Sequence, residues 1–370
     1  MEKKRIYIAD IHMNAGKGLQ ASNKGHPYEW LGREEANRFA DFLNYLNNPA
    51  TIQEIIIIGD LMDNWVYPVN VIPPSLQSIV SAPINRKIVQ ALKKLAKNEK
   101  IKVVYLPGNH DMGVTRELVT KNFPGPNNSP GIIFGGTAFR NSIYRTSRLR
   151  AEHGSAHAMF NAPDPINNPV TRLPLGYFIS RVVATKARDT GSARRHYWRY
   201  ADDLLEAFGP QRLGASVFEA VLEEAGLDET TEIHMSKTNG KVMFVTAGQV
   251  KEKYAALYDQ WQEIKGTGIA IKAMMAEIGL LGRMADHLCK QGDTNIVVFG
   301  HSHDCELDKD TWFVEDRIYA NCGTWCDEEK PCTWVESQKD RDKGRHFVRV
   351  MDWNNGKPEL LKEKEAYVAL

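Results

Sequence analysis

Four short apolar runs constrain this chain more than anything else in it: Ile6-Tyr7-Ile8-Ala9, Ile55-Ile56-Ile57-Ile58, Val103-Val104-Tyr105-Leu106 and Ile296-Val297-Val298-Phe299. Each is continuous and rich in β-branched residues, the pattern of strands buried on both faces of a mainly parallel sheet. A polar block follows each run at once: Asp10-Ile11-His12, Gly59-Asp60-Leu61-Met62-Asp63, Gly108-Asn109-His110-Asp111 and Gly300-His301-Ser302-His303. A fifth, Glu152-His153-Gly154, follows a predicted strand over Ile143 to Ala151. Blocks so placed lie on loops at the carboxyl ends of their strands, the edge where open α/β sheets bind ligands. The expectation is that separate strands deliver these side chains to one rim.

Asp, Asn and His together form the oxygen and imidazole mixture that suits divalent transition ions. Two such ions about 3.5–4 Å apart clamp an in-line attack on phosphorus. The blocks, in this order, resemble the calcineurin-like metallophosphoesterase superfamily, whose pattern is D-x-H, G-D-x-x-D, G-N-H-[DE], a single His, and G-H-x-H. The resemblance covers residues 1–160 and 290–370. It implies an αββα sandwich, an α/β fold of two central sheets flanked by helices.

The resemblance also implies a division of roles. The first ion takes Asp10, His12, Asp60 and His303; the second takes Asp60, Asn109, His153 and His301. Asp60 bridges them, since a carboxylate has two oxygens to offer. A bridging water has its pKa lowered toward about 7, so hydroxide serves as nucleophile and no protein nucleophile is needed. Manganese is the first candidate, with iron and zinc as alternatives. His110, beside Asn109, is placed to give a proton to the departing alkoxide or to bond a phosphoryl oxygen. Its orienting carboxylate is Asp63 or Asp111, and the superfamily's protein phosphatases favour the Asp63 position. Asn14 is a candidate phosphate contact, and His157 a residue around the ligands or an exposed one.

Between the fourth and fifth blocks the pattern changes. Pro163, Pro165, Pro169 and Pro174 punctuate a loop. Helices are then predicted over Asp202 to Phe208, Val217 to Ala225, Val250 to Ile264 and Ile269 to Leu288, with a strand over Lys241 to Thr246. Residues 161–289 therefore read as a mostly helical insertion or cap on a discontinuous catalytic domain. Its Arg172, Arg181, Lys186, Arg188, Arg194, Arg195 and Arg199 are interleaved with Tyr177, Phe178, Tyr197, Trp198 and Tyr200. That stretch is either a solvated basic face or a binder of an anionic substrate, nucleotide or lipid-linked, with Leu173, Leu175, Ile179, Val182 and Val183 able to meet an acyl chain. After His303, strands are predicted over Thr311 to Glu315, Arg317 to Ala320, Thr333 to Glu336 and His346 to Asp352, completing the second sheet.

A net charge of +1 argues against extended nucleic-acid binding and so against a duplex nuclease. The first strand follows Met1-Glu2-Lys3-Lys4-Arg5 directly, without a secretory segment, which points to the cytoplasm. Cys289, Cys305, Cys322, Cys326 and Cys332 lack the C-x-x-C pairs of a structural zinc site and read as small buried thiols. Asn64-Trp65 stands where the superfamily's protein phosphatases carry Arg-Gly, and Asp111 where they carry Glu, so the phosphomonoesterase alternative ranks below a phosphodiesterase or pyrophosphatase. A non-catalytic scaffold of the same fold would show eroded ligands, and here every block is complete. The oligomeric state has no signal in the sequence.

Overall fold

The computed structural model describes residues 1–18, 26–136, 142–146, 148–191, 215–236, 242–308 and 317–367. In chain order the strands are β1 (Lys4–Ile8), β2 (Ile52–Ile58), β3 (Lys102–Leu106), β4 (Ile132–Phe134), β5 (Tyr144–Thr146), β6 (Leu149–Ala151), β7 (Glu232–Ser236) and β8 (Val242–Thr246). They continue as β9 (Ile296–Phe299), β10 (Cys305–Leu307), β11 (Ile318–Cys322), β12 (Thr333–Asp340), β13 (Arg345–Asn354) and β14 (Lys357–Tyr367). One sheet runs β14-β13-β12-β1-β2-β3-β4 and a second β10-β11-β9-β6-β5, while β7 and β8 form a separate ribbon. β1 to β4 are mutually parallel, as are β6, β9 and β11.

Period-two alternation decides what each sheet buries. Tyr7, Ala9, Ile56, Ile58, Val104 and Leu106 point to one side and meet Leu149, Ala151, Ile296, Val298 and Ile318 of the other sheet in a single apolar cluster. The alternate residues Ile6, Ile8, Ile55, Ile57 and Val103 pack outward under the helices Arg33–Leu46 and Arg86–Ala96. On the far side Val297, Phe299 and Tyr319 pack under the helix Gly282–Lys290. Each side chain of this kind contributes about 1.5–3 kcal/mol when fully buried. The result is the αββα sandwich.

Four details differ from the sequence reading. The ligand-bearing strands belong to two sheets, with β1, β2 and β3 in the first and β6 and β9 in the second, so the rim is the shared edge of both. β12 and β13, expected in the second sheet, extend the first, because β12 pairs antiparallel with β1 and β13 with β12. The strand expected over Ile143 to Ala151 is a hairpin, β5 and β6. The helices expected over Val250 to Ile264 and Ile269 to Leu288 are each broken into two, as Ala247–Lys253 with Leu257–Lys265 and Thr267–Glu277 with Gly282–Lys290. The predicted elements Asp202 to Phe208 and Thr311 to Glu315 lie outside the described residues.

The segment after His153 contains a helix with no counterpart in the sequence reading, Leu175–Thr190, buried on nearly every face. Leu175, Tyr177, Phe178, Ile179, Val182 and Val183 join the same apolar cluster as Ile6 and Ile57, which occupies them with core packing. Its Arg181 is fully buried and donates to the carbonyls of Tyr67, Pro68, Val71 and His234 and to the Tyr177 hydroxyl. This cation is a structural pin, which fits neither sequence alternative, a solvated basic face or a contact for an anionic substrate. Lys186 pairs with Glu224, and Arg188 with Asp189 and Asn70. Arg194, Arg195, Arg199, Tyr197, Trp198 and Tyr200 lie outside the described residues. No helix among the described residues is long and apolar enough to cross a membrane.

Candidate metal centre

The five loops meet. Asp10, His12, Asp60, Asn109, His153, His301 and His303 are all buried. Five of them, Asp10, His12, Asp60, His301 and His303, hold φ between 51° and 73°. A left-handed backbone at a residue with a Cβ costs about 1–3 kcal/mol, and it concentrates where side chains must be aimed against local preference. Close approach explains two of the glycines in the blocks: a Cβ on Gly108 would collide with Asp60 Oδ1, and one on Gly300 with Asp10 Oδ2.

Each carboxylate is fixed by one oxygen and presents the other. Asp10 Oδ2 accepts from the backbone N–H of His301 at 2.8 Å, and Asp60 Oδ1 from that of His110 at 2.9 Å. Asp10 Oδ1 takes no hydrogen bond and lies 3.3, 3.8 and 4.0 Å from Nε2 of His303, His12 and His153. Asp60 Oδ2 lies 3.0 Å from His153 Nε2 and 3.8 Å from His12 Nε2. His153 and His12 are fixed in the same way by Nδ1. His153 Nδ1 donates to the Ile58 carbonyl at 3.0 Å, which turns its Nε2 toward Asp60 and toward Asn109 Oδ1, also at 3.0 Å. His12 and His303 face each other through Nε2 at 3.0 Å.

A cluster of acceptors and ring nitrogens pointing at one another is electrostatically costly unless cations sit among them. The carboxylates' field shows in how the rings and Asp60 itself titrate. Burial opposes protonation of His12, but Asp10, Asp63 and Asp60 overcome it and push its pKa up to about 10. His153 is pushed up to about 9 against burial by Asp60 and Asp10. Burial also opposes ionisation of Asp60, and His153 and His110 bring it down to about 2. Donor atoms of Asp10, Asp60 and His153 lie within 4.8 Å of one another, as do those of His12, Asp60 and His110. The donor chemistry fits hard to borderline divalent ions. His301 stands slightly apart, its ring 5.2 Å from that of His153 and its pKa brought down to about 3 by burial and the neighbouring His153 charge.

Asp63, rather than Asp111, faces His110. Its Oδ1 accepts from His110 Nδ1 at 3.1 Å and its Oδ2 from His12 Nδ1 at 3.2 Å, so it orients both rings. Asp111 is occupied elsewhere, accepting from the backbone of Gly108 at 2.6 Å and Leu61 at 2.9 Å and from the Tyr105 hydroxyl. It clips the second block to the third, and burial together with the Asp60 charge pushes its pKa up to about 6. Asn14 spends its side chain on the loop, donating to the Leu31 carbonyl and accepting from the Gly16 N–H. His157 lies 3.1 Å from Glu152 Oε1.

Three residues enter that the sequence reading missed. Trp30 lies 4.4 Å from the His12 ring and 5.2 Å from His110, and Trp65 lies 4.6 Å from His110 on the side of the second block. Asn161 accepts from Asn109 Nδ2 at 3.1 Å and so turns Asn109 Oδ1 toward His153. Trp65, two residues past Asp63, carried a faint signal by proximity; Trp30 and Asn161 carried none.

Residues 4–305 match the calcineurin-like phosphoesterase family. The chain belongs to that family. Its members are generally hydrolases that bind divalent metals, and the donor groups of this chain accord with that. No curated protein matches the chain. Among solved structures it is similar to vacuolar protein sorting 29 from Cryptosporidium parvum, at 10% identity and a TM-score of 0.34 over 99% of this chain and 98% of that one. It is also similar to GAP50, the anchor in the inner membrane complex of Plasmodium, at 9% identity and a TM-score of 0.37 over 100% of this chain and 89% of that one. Likenesses at this level carry no argument beyond what the sheets and the family match establish.

Proposed function

We propose that the chain is a two-metal hydrolase of a phosphodiester or pyrophosphate bond. The observation that supports this best is the convergence of all five blocks, with donor atoms of Asp10, His12, Asp60, Asn109 and His153 aimed inward and each secured from behind, and His303 Nε2 facing His12 and Asp10. When bound, two divalent ions would supply Lewis acidity and an activated water. Asp10, His12, Asp60 and His303 would hold the first, and Asp60, Asn109, His153 and His301 the second. His110 then works as the proton donor: Asp63 keeps Nδ1–H bonded, and the imidazolium gives its Nε2 proton to the leaving alkoxide.

The substrate is an anion with an apolar or aromatic body. A cavity of ≈ 350 Å³ is walled by Met159, Ile166, Trp261 and Ile264, with Arg172 and Lys265 among its lining, and two of its residues, Ala156 and Met159, follow His153 closely in the chain. Residues 161–289 act in this proposal as the selective part.

Metal-free protein refilled with Mn²⁺ is assayed on bis-p-nitrophenyl phosphate beside p-nitrophenyl phosphate. Diester hydrolysis should dominate. Preference for the monoester replaces the diester reading with the phosphomonoesterase one, and two bound ions with no turnover of either compound removes the hydrolase reading.

A further inference from the structure

One side chain in the donor cluster belongs to none of the five blocks. Cys326 Sγ lies with ring nitrogens of His12 and His303 in a buried group whose donor atoms are all within 4.8 Å of one another. Asp10 Oδ1, fully buried and lacking a hydrogen bond, faces the same pair of imidazoles at 3.8 and 3.3 Å. A carboxylate oxygen without a hydrogen bond, two ring nitrogens and a thiol thus point into one volume.

The thiol is held there by rigid surroundings. Thr324 Oγ1 donates its single hydrogen to the Asp10 carbonyl at 3.0 Å. Its lone pairs are left to accept from the Cys326 backbone N–H at 3.3 Å and from Sγ–H at 3.2 Å. Trp325 between them is fully buried, its ring centroid 5.0 Å from Phe39 and 4.5 Å from Phe42, and its backbone N–H also donates to the Asp10 carbonyl at 3.0 Å. The segment carrying Cys326 is therefore fastened to the residue that carries Asp10. Cys332, by contrast, accepts from Arg38 outside the cluster.

We propose that Cys326 is a ligand of the first ion, beside Asp10, His12, Asp60 and His303, and that it biases this position toward zinc or iron(II) and away from manganese. The proposal rests on the two-ion reading above. Two carboxylates, two imidazoles and a thiolate are donors zinc accepts readily, at about 2.0–2.3 Å each. Soft thiolate sulfur favours zinc and iron, whereas manganese prefers oxygen. On binding, the Sγ–H bond breaks, the proton passes to solvent, and a sulfur–metal bond forms without any change of oxidation state.

Cobalt(II) distinguishes the outcomes because its thiolate complexes absorb strongly in the near ultraviolet. Metal-free protein is titrated with Co²⁺ while absorbance and bound cobalt per chain are followed. A charge-transfer band should grow with one of two bound ions, persist in Cys332→Ser and vanish in Cys326→Ser, which should also bind that ion at least about tenfold more weakly. Two bound cobalt ions without the band in the unsubstituted chain would overturn the proposal, whether or not the variant folds, as would a band that survives Cys326→Ser. Fewer than two bound cobalt ions would overturn the two-ion reading itself.

Discussion

The metal centre and the helix Leu175–Thr190 both bury charge, and they do it in opposite ways. Arg181 has a partner for each nitrogen of its guanidinium, five of them backbone carbonyls, so nothing about it invites a ligand. Around Asp10 and Asp60 the outer atoms are equally well bonded, but the inner ones face each other across 3–4 Å. The first arrangement is complete and serves stability; the second is complete only when something positive joins it. Burial by itself does not distinguish a functional charge from a structural one. The direction of the leftover lone pairs does.

Substitutions can break this contrast. Asp60→Asn keeps the acceptor for the His110 N–H and loses the bridging charge. It should lower kcat/KM by about 10⁴-fold, with fewer ions bound per chain, while moving the metal-free melting point little. Arg181→Met should do the reverse: about 3–5 kcal/mol of stability lost in denaturant titration because several carbonyls lose their donor, with kcat of the folded fraction kept. If Asp60→Asn unfolds the chain as severely as Arg181→Met, the two regions are not the different things described here.

A third buried group sharpens the point. His346 is fully buried and neither ring nitrogen has a hydrogen bond. Burial first, then Lys339 and Arg5, brings its pKa down to about 4. The unfolded chain takes up the proton more readily between about pH 6.5 and 4, so the stability is present above that window and is lost as pH falls through it. The loss attributable to this residue is about 3 kcal/mol at pH 4. His346→Leu should flatten the pH dependence of unfolding in that window, and parallel curves for the two proteins would refute the assignment.

What could be read from the sequence follows from how locally each feature is encoded. The ligand loops were legible because strand, turn and donor are contiguous in Ile55–Asp63 or Ile296–His303, and the chemistry is carried by residue types that rarely cluster otherwise. The helix Leu175–Thr190 was not, because it is buried almost all round and lacks the one-sided periodicity that marks a surface helix. Reading Arg181 as a surface cation was the consequence: an isolated Arg between apolar residues looks alike whether it meets solvent or carbonyls. β14, with Lys357, Glu359, Lys362, Glu363, Lys364 and Glu365, has too little apolar alternation to declare a strand; its pairing with β13 makes it one. The choice between Asp63 and Asp111 needed coordinates, since both lie close to His110 and only the direction of each carboxylate separates them.

The bond from the His301 N–H to Asp10 Oδ2 spans 291 residues of chain. During synthesis the amino-terminal ligands emerge long before the segment that holds Asp10 in place. At roughly 5–20 residues per second, that interval is about 15–60 s. A nascent chain in that interval offers Asp10, His12 and Asp60 without the backbone clamp that aims them. The full donor set exists only once His301 and His303 have been made, so an ion met earlier meets an incomplete and unaimed one.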